Sequence, residues 1–189
     1  HGVDWKRTLG AFITFATHSG ESSFGGSTLT QQVVKNLTDE DDNSGIEGAM
    51  RKVKEIVRAY EVENILSKDQ ILELYLNLVS FGGGANNIYG VQTASLYYFN
   101  KNAKDVSLVE AAYIAGITSA PNRYNPFDEK VDRTENINDK VRTVLKKMYE
   151  LGRIEEEEYN NALGEVEAGI KFEKGEVSQN NKLNYYLEA

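Results

Sequence analysis

Residues 51–63 read Arg51-Lys52-Val53-Lys54-Glu55-Ile56-Val57-Arg58-Ala59-Tyr60-Glu61-Val62-Glu63. Val53, Ile56, Val57 and Tyr60 return at spacings of three and four, the period of one helix face. The pattern predicts a long helix from about Ile46 to Leu66, with those four residues as its buried stripe. Just downstream, Ser67-Lys68-Asp69-Gln70 has the form of a capping box, in which side chains and backbone N–H groups satisfy one another. It opens a helix with Ile71, Leu72, Tyr75, Leu76 and Val79 on one face, broken by Gly82-Gly83-Gly84. Upstream, 38–45 is an acidic surface loop. Before it, Ser27 reads as the N-cap of a helix through Leu37, whose apolar face is Leu29, Val33, Val34 and Leu37.

Farther out the helical pattern continues. Asp4 to Ala16 carries Trp5, Leu9, Phe12, Ile13 and Ala16 at helical spacing, and the run from Leu9 to Ala16 holds no charge. The glycine- and serine-rich stretch from His18 to Gly26 follows. That combination predicts a mobile segment that meets a membrane surface. Tyr89 to Phe99 reads as a short helix, and Ser107-Leu108-Val109-Glu110 as a second capping box opening Ala111 to Ile117. Asp128 to Leu151 and Glu155 to Leu163 complete the helices, with Gly152 between them as a stop. Ile170 to Glu173 reads as extended, and Ser178 to Lys182 as linker. The predicted class is mainly α.

Composition narrows the function classes. The chain has 189 residues, 40% of them apolar, enough for a core, and no stretch of 18 apolar residues that would span a bilayer as a helix. It has no cysteine, which rules out disulfides and thiolate metal sites. Twenty-one basic against 29 acidic residues leave a net charge of −8, which argues against a nucleic-acid partner. His1 and His18 are too few and too far apart for a metal site of their own.

Two segments could carry chemistry. In Gly25-Gly26-Ser27-Thr28-Leu29-Thr30-Gln31-Gln32-Val33-Val34-Lys35-Asn36 a glycine pair runs into a helix N-terminus, where backbone N–H groups favour anions. Thr28, Gln32 and Lys35 then share a stripe able to hold a phosphate or sugar. In residues 51–58 four cations sit within an otherwise acidic chain, with Arg51 and Glu55 one turn apart and Ala59 leaving room beside Glu55. Taken singly, each segment is more often a solvated face, with ion pairs worth about 0.3–0.5 kcal/mol. Asn77, in Ile71-Leu72-Glu73-Leu74-Tyr75-Leu76-Asn77, is polar beside a buried stripe, as a capping amide would be.

Together the blocks resemble one family. GGSTLTQQVVKN (25–36), RKVKE (51–55) with Ala59 and Glu63, ILELYLN (71–77) and SLVEAAYIAGITSAPNRYNP (107–126) occur in the order found in peptidoglycan glycosyltransferases, glycosyltransferase family 51, of class A penicillin-binding proteins. The resemblance covers residues 2–163. It implies a lysozyme-like head with a small membrane-apposed jaw, and a linker over 164–189 toward a transpeptidase domain. It also implies inverting transfer of a growing glycan from undecaprenyl pyrophosphate to the GlcNAc 4-hydroxyl of lipid II. The expected setting is the extracytoplasmic face of a bacterial membrane, alongside other cell-wall synthesis proteins. Ser27, Thr28, Gln32, Lys35, Arg51, Lys52 and Asn77 would contact substrate. Glu55 would be catalytic, orienting the pyrophosphate directly or through a divalent cation, magnesium or manganese.

The chain departs from the family pattern in three places. Its first family block starts at His1-Gly2, so the general-base glutamate is expected upstream of residue 1. Ser80 stands where an aromatic residue is usual. The stretch TDEDDNSGIEGAM (38–50) is acidic where the family is often basic. Two other functions compete: a lytic transglycosylase or muramidase, which needs one perturbed glutamate and no cation cluster, and a non-catalytic lipid II- or glycan-binding module.

Overall fold

The computed structural model describes residues 27–38, 45–82 and 88–177. The chain divides into two compact units, residues 1–78 and 79–189. The described residues are mostly helical and hold no strand. One isolated antiparallel bridge pairs Ser80 with Tyr89. The mainly α class is as expected from the helical periods. No described helix is long and apolar enough to cross a membrane. The expectations for Asp4 to Gly26, for 39–44 and for Ser178 to Lys182 lie outside the described residues.

The first unit contains α1 (Leu29–Thr38), α2 (Gly45–Ile65) and α3 (Lys68–Leu78), with α1 packed against both others. Its apolar core is Val33, Ile71 and Leu78, with Val62, Leu66, Leu74 and Tyr75 against them. The capping box opening α3 is present: Ser67 N–H donates to Gln70 Oε1 at 2.9 Å and Gln70 N–H to Ser67 Oγ at 3.2 Å.

Two expectations for this unit need correction. The cap of α1 belongs to Thr28, not Ser27. Thr28 N–H donates to Gln31 Oε1 at 2.7 Å and Gln31 N–H to Thr28 Oγ1 at 3.2 Å, which frees the Ser27 hydroxyl for another partner. The buried stripe of α2 is also not the apolar one. Val53, Val57 and Tyr60 are exposed, while Glu55 and Ala59 are buried. Periodicity marks which residues share a face, but the neighbouring helix decides which face is covered. Here α1 lies against the side that carries the carboxylate. Leu29 and Leu37, expected on the apolar face of α1, are likewise exposed, and Thr30 and Gln31 are buried beside Val33 and Val34.

The second unit contains α4 (Val91–Phe99), α5 (Leu108–Ile117), α6 (Thr134–Glu150) and α7 (Glu156–Ala168). The second capping box forms as read, with Ser107 N–H to Glu110 Oε2 at 2.8 Å and Glu110 N–H to Ser107 Oγ at 3.3 Å. Gly152, at φ +61°, follows the end of α6. An aromatic cluster fills the interior: Tyr98 meets Tyr113 edge to face at 5.3 Å, and Phe99 meets Tyr113 at 5.6 Å. Such pairs are favourable because ring edges are positive and faces negative. Two buried tyrosine hydroxyls hold loops: Tyr98 donates to Phe81 O and Tyr113 to Tyr124 O, both at 2.8 Å. Burial pushes both hydroxyls far above the ordinary tyrosine range, so they stay protonated donors.

Helix α7 runs past Leu163 to Ala168, and residues 169–177 then form an irregular strap without strand pairing, whose Phe172 to Gly175 meet the end of α4. Glu173 N–H donates to Tyr98 O at 3.0 Å and Gly175 N–H to Tyr97 O at 3.2 Å. Phe172 stacks on Phe99 at 5.3 Å, and the Lys174 ammonium lies 5.6 Å over Tyr97. These contacts satisfy carbonyls in the last turn of α4, which have no partner inside the helix.

Candidate active site

Lys52 is the hub. Its ammonium donates to Ser27 Oγ at 2.7 Å and is bonded to Glu55 Oε1. Arg51, one residue earlier, faces the other oxygen, Glu55 Oε2, at 3.5 Å. The i, i+3 and i, i+4 spacings along α2 bring both cations onto one carboxylate. Ser27 reaches the group from the chain entering α1. Glu55 is 5% exposed and its cations are partly covered, at 27% for Lys52 and 19% for Arg51. The surface ion pair that the spacing alone favours is therefore a largely buried one.

Burial changes what the group can do. An ionised carboxylate removed from water needs partners on both oxygens, and here each has a cation. Two cations against one anion leave a net positive charge, which suits a phosphate-bearing ligand. With both oxygens engaged, Glu55 holds Lys52 and Arg51 in place. Ala59, one turn further along α2, is fully buried, so nothing larger is readily admitted beside Glu55.

The other residues singled out from the sequence divide. Thr28 is occupied in capping α1. Gln32 is half-buried and Lys35 exposed, three residues apart on α1. Asn77 is half-buried in the last turn of α3. Among the described residues no three acidic or histidine side chains gather as a metal site. A divalent cation at Glu55 would have to displace two side-chain cations, and the residues present do not fit one.

Sequence reading missed Thr30 and Lys68, which join Glu63. Thr30 Oγ1 donates to Glu63 Oε1 at 2.6 Å, and the Lys68 ammonium is bonded to Glu63 Oε2. Burial alone would raise the Glu63 carboxyl, but the Lys68 and Thr30 hydrogen bonds and the Lys68 charge hold it below its ordinary value. Spacing could not have found this group, because it spans three helices. Gln31 was missed too. It is fully buried, and its Nε2 has no hydrogen-bond partner among the described residues.

The family model described as Transglycosylase matches residues 1–149. Penicillin-binding protein 1A of Clostridium acetobutylicum is 40% identical over 192 residues, covering 97% of this chain and 23% of that protein. Its namesake in Clostridium perfringens (strain 13 / Type A) is 41% identical over 191 residues, covering 97% and 26%. That of Pseudomonas aeruginosa is 41% identical over 167 residues, covering 87% and 19%. The chain thus spans about a quarter or less of the length of these relatives. A crystal structure of penicillin-binding protein 1A from Haemophilus influenzae is similar at 26% identity and a TM-score of 0.48, over 85% of this chain and 18% of that one.

Proposed function

The chain belongs to the transglycosylase family, and we propose that it is the glycan-polymerising part of a class A penicillin-binding protein. Its substrates are lipid II and a nascent glycan carried on undecaprenyl pyrophosphate, met at the extracytoplasmic face of a bacterial membrane. The lipid II GlcNAc 4-hydroxyl attacks C1 of the donor's terminal MurNAc. A new C1–O bond forms with inversion, the C1–O bond to the pyrophosphate breaks, and the hydroxyl proton passes to a general base. Glu55, with both oxygens engaged, is not given that role.

One observation carries this reading: the Lys52 and Arg51 cations held by a buried Glu55 beside Ser27. Negative charge grows on the pyrophosphate as its bond breaks, and cations fixed in advance stabilise it without reorganising. Gln32 and Lys35, on the neighbouring α1, would add an amide and an ammonium for the sugar and phosphate. Asn77 would contact substrate from α3. A lytic enzyme has no pyrophosphate to stabilise and no use for this cluster.

The test is lipid II polymerisation by the full-length protein, read as glycan strands on a gel. Strands from wild type and a loss of about 100-fold or more in Lys52→Gln are the expected result. Cleavage of preformed glycan instead of synthesis, or lipid II binding without turnover, would overturn the reading.

A further inference from the structure

Among the described residues, side-chain hydrogen bonds join the start of α1 and the residues entering it to α2 at the cation cluster and at a second place. Ser27 meets Lys52 at the first. At the second, Thr30 donates to Glu63 Oε1 at 2.6 Å while Lys68, the first residue of α3, holds Glu63 Oε2. Thr30 is 4% exposed. A threonine late in a helix can turn its hydroxyl back onto the carbonyl four residues earlier, an option that Thr30, in the first turn of α1, does not have. Thr38, at the other end of α1, does so, donating to Val34 O at 3.0 Å. Thr30 instead reaches across to another helix. Its bond to a carboxylate at that length is of the strong, charge-assisted kind, and its branched side chain has few rotamers in which to give way.

Between the two ties the chain is closed by hydrogen bonds. The Thr28–Gln31 cap and the bond from Gln32 N–H to Thr28 O at 3.0 Å close the turn that follows Ser27. A displacement of Thr30 is therefore passed to Ser27 three residues away. Ser27 in turn is one of the two partners that fix the Lys52 ammonium.

We propose that Thr30, held by Glu63 and Lys68, is a positioning residue for the transfer reaction: it sets where the Ser27 hydroxyl stands, and so where Lys52 points. This rests on the glycosyltransferase reading above. Lys52 must meet the leaving group at its developing charge, a requirement on geometry in the transition state more than on initial binding. Loosening the tie should lower turnover and leave affinity for lipid II nearly unchanged.

The experiment is steady-state polymerisation by the full-length protein with Thr30→Val, which replaces the hydroxyl with a methyl at almost constant shape, and with Thr30→Ser. Thr30→Val is expected to lower kcat by about tenfold or more, with KM for lipid II within about twofold. Thr30→Ser should restore most of the rate. Lys68→Met, at a mostly exposed ammonium, is the second variant, and a loss of about threefold in kcat is expected. Wild-type kcat in both Thr30→Val and Lys68→Met would overturn the proposal. So would losses that merely track the fraction of unfolded protein in thermal melts. Absence of polymer from wild type would instead sink the glycosyltransferase reading, and this inference with it.

Discussion

Lys52 Nζ stands 2.7 Å from Ser27 Oγ, so one ammonium joins the chain entering α1 to the first half of α2. Its other partner, Glu55, is almost fully buried. A cation held by two partners in this way has its charge fixed in direction. The consequences can be measured.

Glu55→Gln in the full-length protein should lower polymerisation roughly 100- to 1,000-fold. It should also cost about 1–3 kcal/mol of stability, because two partly covered cations lose their shared anion. Lipid II turnover and urea unfolding read the two effects separately. Near-normal turnover would reduce Glu55 to a structural ion pair.

Ala59→Leu should destabilise the first unit by about 1–3 kcal/mol, since Ala59 has no exposed surface into which a larger side chain could turn. Urea midpoints unchanged from wild type would mean that the interior beside Glu55 is looser than its burial implies.

Gly175→Ala should release the strap. A Cβ at Gly175 would lie 2.2 Å from the Leu96 carbonyl oxygen, closer than any side chain tolerates. Amide exchange at Glu173 and Gly175 is expected to become fast while the amides of α4 to α7 keep their protection. Equal protection of the strap in both proteins would count against its docking on α4.

Stability should fall on acidification partly through Glu63. Its folded-state carboxyl is held below the ordinary value of 4.5, so its contribution is complete above that pH and is lost as pH falls through the lower, folded-state value. Urea unfolding from pH 6 downward should show a smaller acid loss in Glu63→Gln than in wild type. Parallel curves would mean that Glu63 gains nothing from Lys68 and Thr30 in the folded protein.

Much of this protein was legible in the residue order. The helices α1 to α7 answer to periods and caps, and both predicted capping boxes form as read. These are local interactions, closed within three or four residues, so local spacing is enough to reveal them. The Arg51–Glu55 proximity was legible for the same reason. The helix of residues 128–151 was read too long because Asp128 and Arg133 pair across a turn, at 2.6 Å, ahead of α6.

What surrounds a helix is not local, and there the order of residues was silent or misleading. Val53, Val57 and Tyr60 make the better apolar stripe, yet α1 covers the side of Glu55 and Ala59. The choice depends on the combined surface of three helices, in which Thr30, Glu63 and Lys68 satisfy one another across sequence gaps of 33 and 5 residues. Sequence alone determined that the chain is helical and which block carries its cations. Tertiary packing decided that the carboxylate between those cations is buried and that Ser27 stands beside Lys52, because both depend on segments that are distant in sequence.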